Sequence, residues 1–205
     1  MSGFVKICGL TDEAAVAAAL EAGADAIGFV FAASPRRVTP RRAAELARPA
    51  RGRAACIAVA LHPSQAEVDT ILAEFAPDSL QTDAADFAAL NLPASLARLP
   101  VLRSGAAVEV AAGTRVLFEG PHSGSGRVAD WLAARTLAAR CEMILAGGLR
   151  PDNVADAIER VQPFGVDVSS GVEHAPGRKD PLRIATFVER ARRAFAAPSA
   201  KRAIP

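Results

Sequence analysis

The sequence predicts an α/β fold, a single (β/α)8 TIM barrel, and three observations predict it. Eight apolar runs read as strands, each followed by a helix candidate, at about 25-residue spacing. The runs are continuously apolar, as a parallel sheet buried on both faces requires. No Gly-x-Gly-x-x-Gly follows the first strand, which weakens the rival, an open doubly wound sheet. The chain has 205 residues, fewer than the ~250 usual for such barrels, so its loops must be lean. The barrel is placed at residues 1–196 and a flexible tail at 197–205.

Phe4 to Cys8 is the first strand; Gly9 breaks it, and Thr11 can cap a helix running to about Ala22. Gly23 ends that helix, and Ala26 to Phe31 is the second strand. After a loop from Ala32 to Val38, Thr39-Pro40 opens the second helix with proline at its first position. Ala54 to Leu61 is the third strand, and Ser64 caps a helix towards Phe75. Ser79-Leu80-Gln81 is a short fourth strand, followed by a weakly patterned helix near Asp86–Leu90. Leu99 to Leu102 is the fifth, followed by a poorly marked helix near Ala107–Ala112. Arg115 to Glu119 is the sixth. A Gly-Ser loop from Gly120 to Gly126 follows, and Asp130 can cap a helix beginning near Trp131. Met143 to Ala146 is the seventh strand, Gly147-Gly148 its turn and Asp152 to Val161 its helix. Gly165 to Val168 breaks into a Ser-Ser-Gly turn, a Pro176-Gly177 corner and a last helix from Pro181 to about Phe195.

Composition narrows the function classes. Hydrophobic residues make up 51% of the chain, enough for a sizeable core, yet no apolar run reaches the length of a membrane span. No signal peptide precedes the first strand. Cys8, Cys56 and Cys141 are odd in number and widely spaced, which argues against a disulfide framework and fits a reducing cytoplasm. A net charge of +2 and only 5% aromatics give no platform for nucleic acid. No His/Cys cluster has metal-ligand spacing, so no metal is expected.

In such a barrel the chemistry sits where strands end and βα loops begin. Those positions hold Cys8, then Ser34, Arg36 and Arg37, then Gln81, Thr82 and Asp83. Arg103, Glu119, Gly147 and Gly148 follow, and the eighth strand ends with Asp167, Ser169, Ser170 and Gly171. The turns after strands seven and eight are rich in glycine and serine, where barrels often bind phosphate. The last helix begins at Asp180-Pro181, and its N-terminus would add partial positive charge there.

Cys8 and Glu119 can face each other across the mouth as base and acid. Cys8 is otherwise a small buried hydrophobe. Lys6, two residues earlier, leaves the same face of the strand, and its ammonium would favour the thiolate. Glu119 is either an acid or a helix cap or solvated loop residue. Arg36 and Arg37 are either a bidentate carboxylate clamp or surface charges. His62, His122 and His174 fall in loops and read as exposed and non-catalytic.

These residues resemble the phosphoribosylanthranilate isomerase family over nearly the whole chain. The resemblance rests on Val5-Lys6-Ile7-Cys8-Gly9-Leu10-Thr11, on Gly23 to Phe31, on Ser34-Pro35-Arg36, and on Gly124-Ser125-Gly126 with Asp130-Trp131. It continues through Ala146-Gly147-Gly148-Leu149 with Pro151 and Asn153-Val154. It closes on Val166 to Glu173 with Pro176-Gly177 and Lys179-Asp180.

The resemblance implies a tryptophan-pathway enzyme without cofactor or metal. Its Amadori rearrangement turns N-(5-phosphoribosyl)anthranilate into 1-(2-carboxyphenylamino)-1-deoxyribulose 5-phosphate. By motif match Cys8 is the base and Glu119 stands where the family has its acid, an Asp. Arg36 matches the arginine that grips the anthranilate carboxylate, and Asp167 an acidic residue that orients substrate. Gly147, Gly148, Ser170 and Gly171 match the phosphate loops. The partner is a small phosphorylated substrate, neither nucleic acid nor membrane, and the chain acts as a monomer or homodimer. A second departure is Leu80-Gln81-Thr82-Asp83, where the family usually shows Leu-Gln, a hydrophobic residue and His-Gly. Two alternatives stand beside this reading. One is the aminoaldose isomerase of histidine biosynthesis, which uses two aspartates; the other is a barrel that binds a phosphate ligand without catalysis.

Overall fold

The computed structural model describes residues 3–103, 111, 113–120 and 130–197. Eight parallel strands close into a barrel in chain order. They are β1 (Phe4–Cys8), β2 (Ala26–Val30), β3 (Ala55–Val59), β4 (Ser79–Asp83), β5 (Ala97–Arg103), β6 (Arg115–Glu119), β7 (Glu142–Leu145) and β8 (Gly165–Val168). Closure is made by β1 against β8, with Lys6 opposite Asp167.

Each strand has two apolar faces because the sheet separates two cores. The outer core packs strand residues such as Val5, Ile27 and Phe29 against the helices. The inner one fills the barrel with Ala26, Ile57, Leu99, Val101, Leu117, Ile144 and Ala146. Side chains alternate between the two along every strand. Burying each large apolar side chain contributes about 1.5–3 kcal/mol.

Helices surround the barrel: α1 (Glu13–Glu21), α2 (Pro40–Ala47), α3 (Gln65–Phe75), α4 (Trp131–Ala138), α5 (Val154–Val161) and α6 (Pro181–Ala196). Their starts follow local chemistry. Thr39 accepts from the Arg42 amide ahead of Pro40, and Ser64 and Glu67 form a reciprocal capping box. Asp130 accepts from the amides of Leu132 and Ala133.

Several expectations are corrected. Asp12, not Thr11, caps α1, accepting from the Ala15 amide at 2.8 Å, while the Thr11 hydroxyl donates to the Gly177 carbonyl. β4 extends to Asp83 and β5 spans Ala97–Arg103, both longer than their apolar runs. The segment after β4 is a 3-10 turn, Ala84–Ala88, rather than a helix near Asp86–Leu90. The Pro176-Gly177 corner is the tip of a small antiparallel hairpin, β9 (Glu173–Ala175) with β10 (Arg178–Lys179). The helix expected near Ala107–Ala112 lies almost wholly outside the described residues. So do Pro121–Arg127 with His122 and Gly124-Ser125-Gly126, and the tail from 198 onward.

The N-terminal end of the barrel is closed by rings and one cation. Phe4 and Phe164 stack with centroids 6.0 Å apart. The Arg115 guanidinium lies 5.4 Å and 4.6 Å from their centres and pairs with Glu142 at 2.7 Å.

Candidate active site

The polar residues collect at the opposite, C-terminal rim. On β1 the alternation sends Lys6 and Cys8 to the same, inward face. A Cβ at Gly28, on the neighbouring β2, would stand 3.0 Å from Cys8 Sγ and 3.3 Å from Lys6 Nζ. Glycine there makes room for both side chains.

Lys6 has no solvent exposure and donates to Asp167 Oδ1 at 2.7 Å. Burial pulls its pKa down, but the facing carboxylate outweighs burial and holds it above the ordinary lysine value. The expected thiolate at Cys8 is corrected. Burial pushes the thiol above its ordinary value. Lys6 pulls the other way, Asp167 adds to the push, and Lys179 pulls down again. Lys6 spends its charge on Asp167, so burial wins and the resting group is a thiol.

The turns after β7 and β8 adjoin. Gly147 and Gly148 both have positive φ, 88° and 67°, and Asn153 secures the turn by donating to the Gly148 carbonyl. Gly171 lies against Leu149, where a Cβ would approach the carbonyl oxygen to 1.9 Å. No other residue fits. Ser170 opens the 3-10 turn Ser170–Val172 beside it. At the N-terminus of α6, Asp180 accepts from the Leu182 and Arg183 amides at 2.9 and 3.2 Å, so those two donors are already taken.

Arg36 is held rather than loose. Its Nε and Nη2 donate to the two carboxylate oxygens of Glu173 at 2.7 and 2.9 Å. Among the described residues Nη1 has no hydrogen-bond partner. Arg37 forms an isolated bridge with Val30 through its backbone.

A second cluster stands on β4, β5 and β6. Arg103 donates to Glu119 at 2.7 Å and to Asp83 at 2.6 Å, so one guanidinium joins two carboxylates. Burial lowers the Arg103 pKa, but the two carboxylates outweigh it and hold the guanidinium charged. Asp86 bonds His62 at 2.9 Å and Thr82. His62 and His174 are exposed, as expected. Gln81 is buried, and its Oε1 has no partner among the described residues.

The predicted residues thus fall in three places: Cys8, Asp167 and Arg36 with Lys6, the adjoining turns of Gly147-Gly148 and Ser170-Gly171, and Glu119 on β6. Sequence reasoning gave no role to Glu173, Lys179 or Arg103. Glu173 and Lys179 are register partners in the hairpin and both are buried. A charged residue on each side of a Pro-Gly corner was the available cue.

The fold and this rim define a (β/α)8-barrel enzyme. A family profile described as "N-(5'phosphoribosyl)anthranilate (PRA) isomerase" matches residues 5–190. The chain belongs to that family and is accordingly an isomerase of tryptophan biosynthesis. A Bordetella pertussis protein named N-(5'-phosphoribosyl)anthranilate isomerase is 42% identical over 199 residues, covering 88% of this chain and 91% of its own. The crystal structure of TrpF from Jonesia denitrificans is similar, with a TM-score of 0.78 and 35% identity over 95% of this chain and 98% of that one. A phosphoribosyl anthranilate isomerase in complex with reduced 1-(o-carboxyphenylamino)-1-deoxyribulose 5-phosphate has a TM-score of 0.73 and 26% identity. That match covers 92% of this chain and 98% of the other.

Proposed function

We propose that Cys8 and Glu119 carry the proton transfers by which this isomerase converts N-(5-phosphoribosyl)anthranilate into 1-(2-carboxyphenylamino)-1-deoxyribulose 5-phosphate. Glu119 donates a proton to the furanose ring oxygen. The C1–O bond breaks and the anilino nitrogen pushes in to form the protonated Schiff base. Cys8, reacting as the thiolate after its thiol proton has left to solvent, then removes the C2 proton, giving an enolamine. The enol oxygen at C2 loses its proton and C1 gains one, leaving the aminoketose. Protons move and no electrons are exchanged with a partner, so the proposal draws on no cofactor.

The observation that supports this most is the placement of Cys8 on the inward face at the end of β1, beside Lys6, whose ammonium opposes part of the upward push of burial on the thiol. Other groups of the rim place the substrate. Arg36 receives the anthranilate carboxylate through its remaining N–H groups. Gly147, Gly148, Ser170 and Gly171 receive the phosphate through backbone amides. Asp167 orients the substrate while holding Lys6. Arg103 sets the position of the Glu119 carboxyl, and Asp83 holds Arg103 from the other side.

The substrate is a small phosphorylated molecule; no nucleic acid takes part, and the chain works in the cytoplasm as a monomer or homodimer. No described helix is long and apolar enough to cross a membrane. The test is turnover of purified substrate by Cys8→Ser and Glu119→Gln, with binding of the reduced product analogue measured alongside. Loss of turnover with binding retained supports the assignment. Wild-type rates in either variant remove that residue from the chemistry.

A further inference from the structure

The β9–β10 hairpin lies outside the βα repeat, yet it touches three of the loops that form the rim. Glu173, at its start, is buried and accepts from Arg36 through both carboxylate oxygens. Lys179, at its end, is also buried and donates to Glu173 Oε1 at 2.8 Å. The same ammonium donates to the Ser169 carbonyl at 3.0 Å and to the Ser169 hydroxyl at 3.3 Å. At the tip, Gly177 packs on the loop that carries Arg36, where a Cβ would come within 2.4 Å of the Pro35 carbonyl oxygen. The tip carbonyl accepts from Thr11 at 2.9 Å. The base of the hairpin is fixed by the Asp180 amide donating to the Val172 carbonyl at 2.8 Å.

We propose that Glu173 and Lys179 are positioning residues that set substrate selectivity. They hold Arg36 in the orientation that takes the anthranilate carboxylate and tie it to the turn that takes the phosphate. The proposal rests on the reading of Arg36 as the carboxylate site. An unrestrained arginine must be ordered when its ligand arrives, and that ordering subtracts from affinity. Here Glu173 grips the Nε–Nη2 edge in advance and leaves Nη1 for the ligand. One carboxylate between two cations leaves the group at +1, so Glu173 fixes Arg36 without cancelling the attraction for an anion. Ser169, Lys179, Glu173 and Arg36 form one continuous chain of hydrogen bonds. It runs from the last residue before Ser170-Gly171 to the carboxylate clamp. The spacing between the two anionic ends of the substrate is therefore held by buried contacts.

The test compares N-(5-phosphoribosyl)anthranilate with N-(5-phosphoribosyl)aniline, which differ only in the carboxylate. The ratio of kcat/KM for the two is measured in the wild-type protein and in the Glu173→Gln, Lys179→Met and Arg36→Ala variants. Because each ratio is taken within one protein, a general loss of stability cancels. Glu173→Gln is expected to lower the ratio about tenfold or more, through KM for the carboxylated substrate, since small displacements of a positioning group are costly. It leaves kcat/KM for the aniline substrate near the wild-type value. Lys179→Met is expected to lower the ratio too and to raise the inhibition constant of ribose 5-phosphate several-fold, whereas Arg36→Ala leaves that constant unchanged. Equal losses on both substrates in Glu173→Gln overturn the selectivity role. An unchanged inhibition constant in Lys179→Met overturns the link to the phosphate turn. If Arg36→Ala itself leaves the ratio unaltered, the reading of Arg36 fails, and the proposal with it. Should Glu173→Gln not fold, as judged by circular dichroism, the double variant Glu173→Gln/Lys179→Met removes both buried charges and is read in the same way.

Discussion

Lys6 and Asp167 stand opposite each other on β1 and β8, 161 residues apart in sequence, and join at 2.7 Å across the seam that closes the barrel. The ammonium is wholly buried. Removing the carboxylate leaves an uncompensated charge in the interior. Asp167→Asn is expected to cost about 3–5 kcal/mol, against about 0–1 kcal/mol for breaking an exposed pair such as Arg193–Glu189. Lys6→Met combined with Asp167→Leu removes both charges and should recover most of the loss. Urea denaturation of the two single variants and the double decides this, and additive losses would contradict it.

Cys8 follows from the same pair. Burial keeps its thiol protonated, with Asp167 pushing in the same direction. Iodoacetamide labelling of Cys8 in the free protein should be slow at neutral pH and rise only above the ordinary thiol value of about 8.5. Asp167→Asn removes one of the upward pushes, so its labelling profile shifts to lower pH. Cys56, buried and pushed up to about 11, should label only on unfolding. Peptide mapping over a pH series separates the sites.

Glu119 and its holder predict a graded series. Glu119→Gln cannot donate the ring-opening proton, and kcat should fall about 10²–10⁴-fold. Asp83→Asn keeps the Glu119 carboxyl and loosens the far side of Arg103, the group that positions it. Its kcat should fall about tenfold, as expected for displacement rather than removal. Steady-state kinetics that rank Asp83→Asn equal to or worse than Glu119→Gln would reverse the assignment.

Glu173 gives the pH dependence of stability a defined sign. Burial raises its pKa, but the hydrogen bonds from Arg36 and Lys179 outweigh burial and leave it lowered. A carboxylate whose folded value lies below its unfolded value of about 4.3 stabilises the fold above that value, and the contribution disappears as pH falls through the folded one. Glu173→Gln should therefore flatten the acid limb of stability. Urea midpoints for both proteins between pH 3 and pH 6 provide the comparison.

What the sequence made readable was local. The strands showed as apolar runs because both faces are buried, and Thr39-Pro40, Ser64 and Asp130 act within one helical turn. Placement of Lys6 and Cys8 on one face needed only the period of a strand. The misreadings came where tertiary contacts decide between local options. Thr11 and Asp12 can each cap a helix; the hydroxyl went to Gly177 instead, a contact 166 residues distant. Arg36 and Glu173 are separated by 137 residues, and nothing near either one announces the other. The Cys8 thiol is held above its ordinary value chiefly by burial, with Asp167 adding to it, and neither shows in the strand period that places Lys6 beside it.

The stack of Phe4, Arg115 and Phe164 closes the end of the barrel away from the rim. Its three members come from β1, β6 and the segment before β8, so it ties β6 to the neighbouring pair β1 and β8. This contribution to stability is thereby set at the opposite pole of the cylinder from the chemistry. A laboratory seeking a hardier enzyme can remodel that pole, and a lineage drifting towards a new substrate can rework the rim. Neither change has to undo the other.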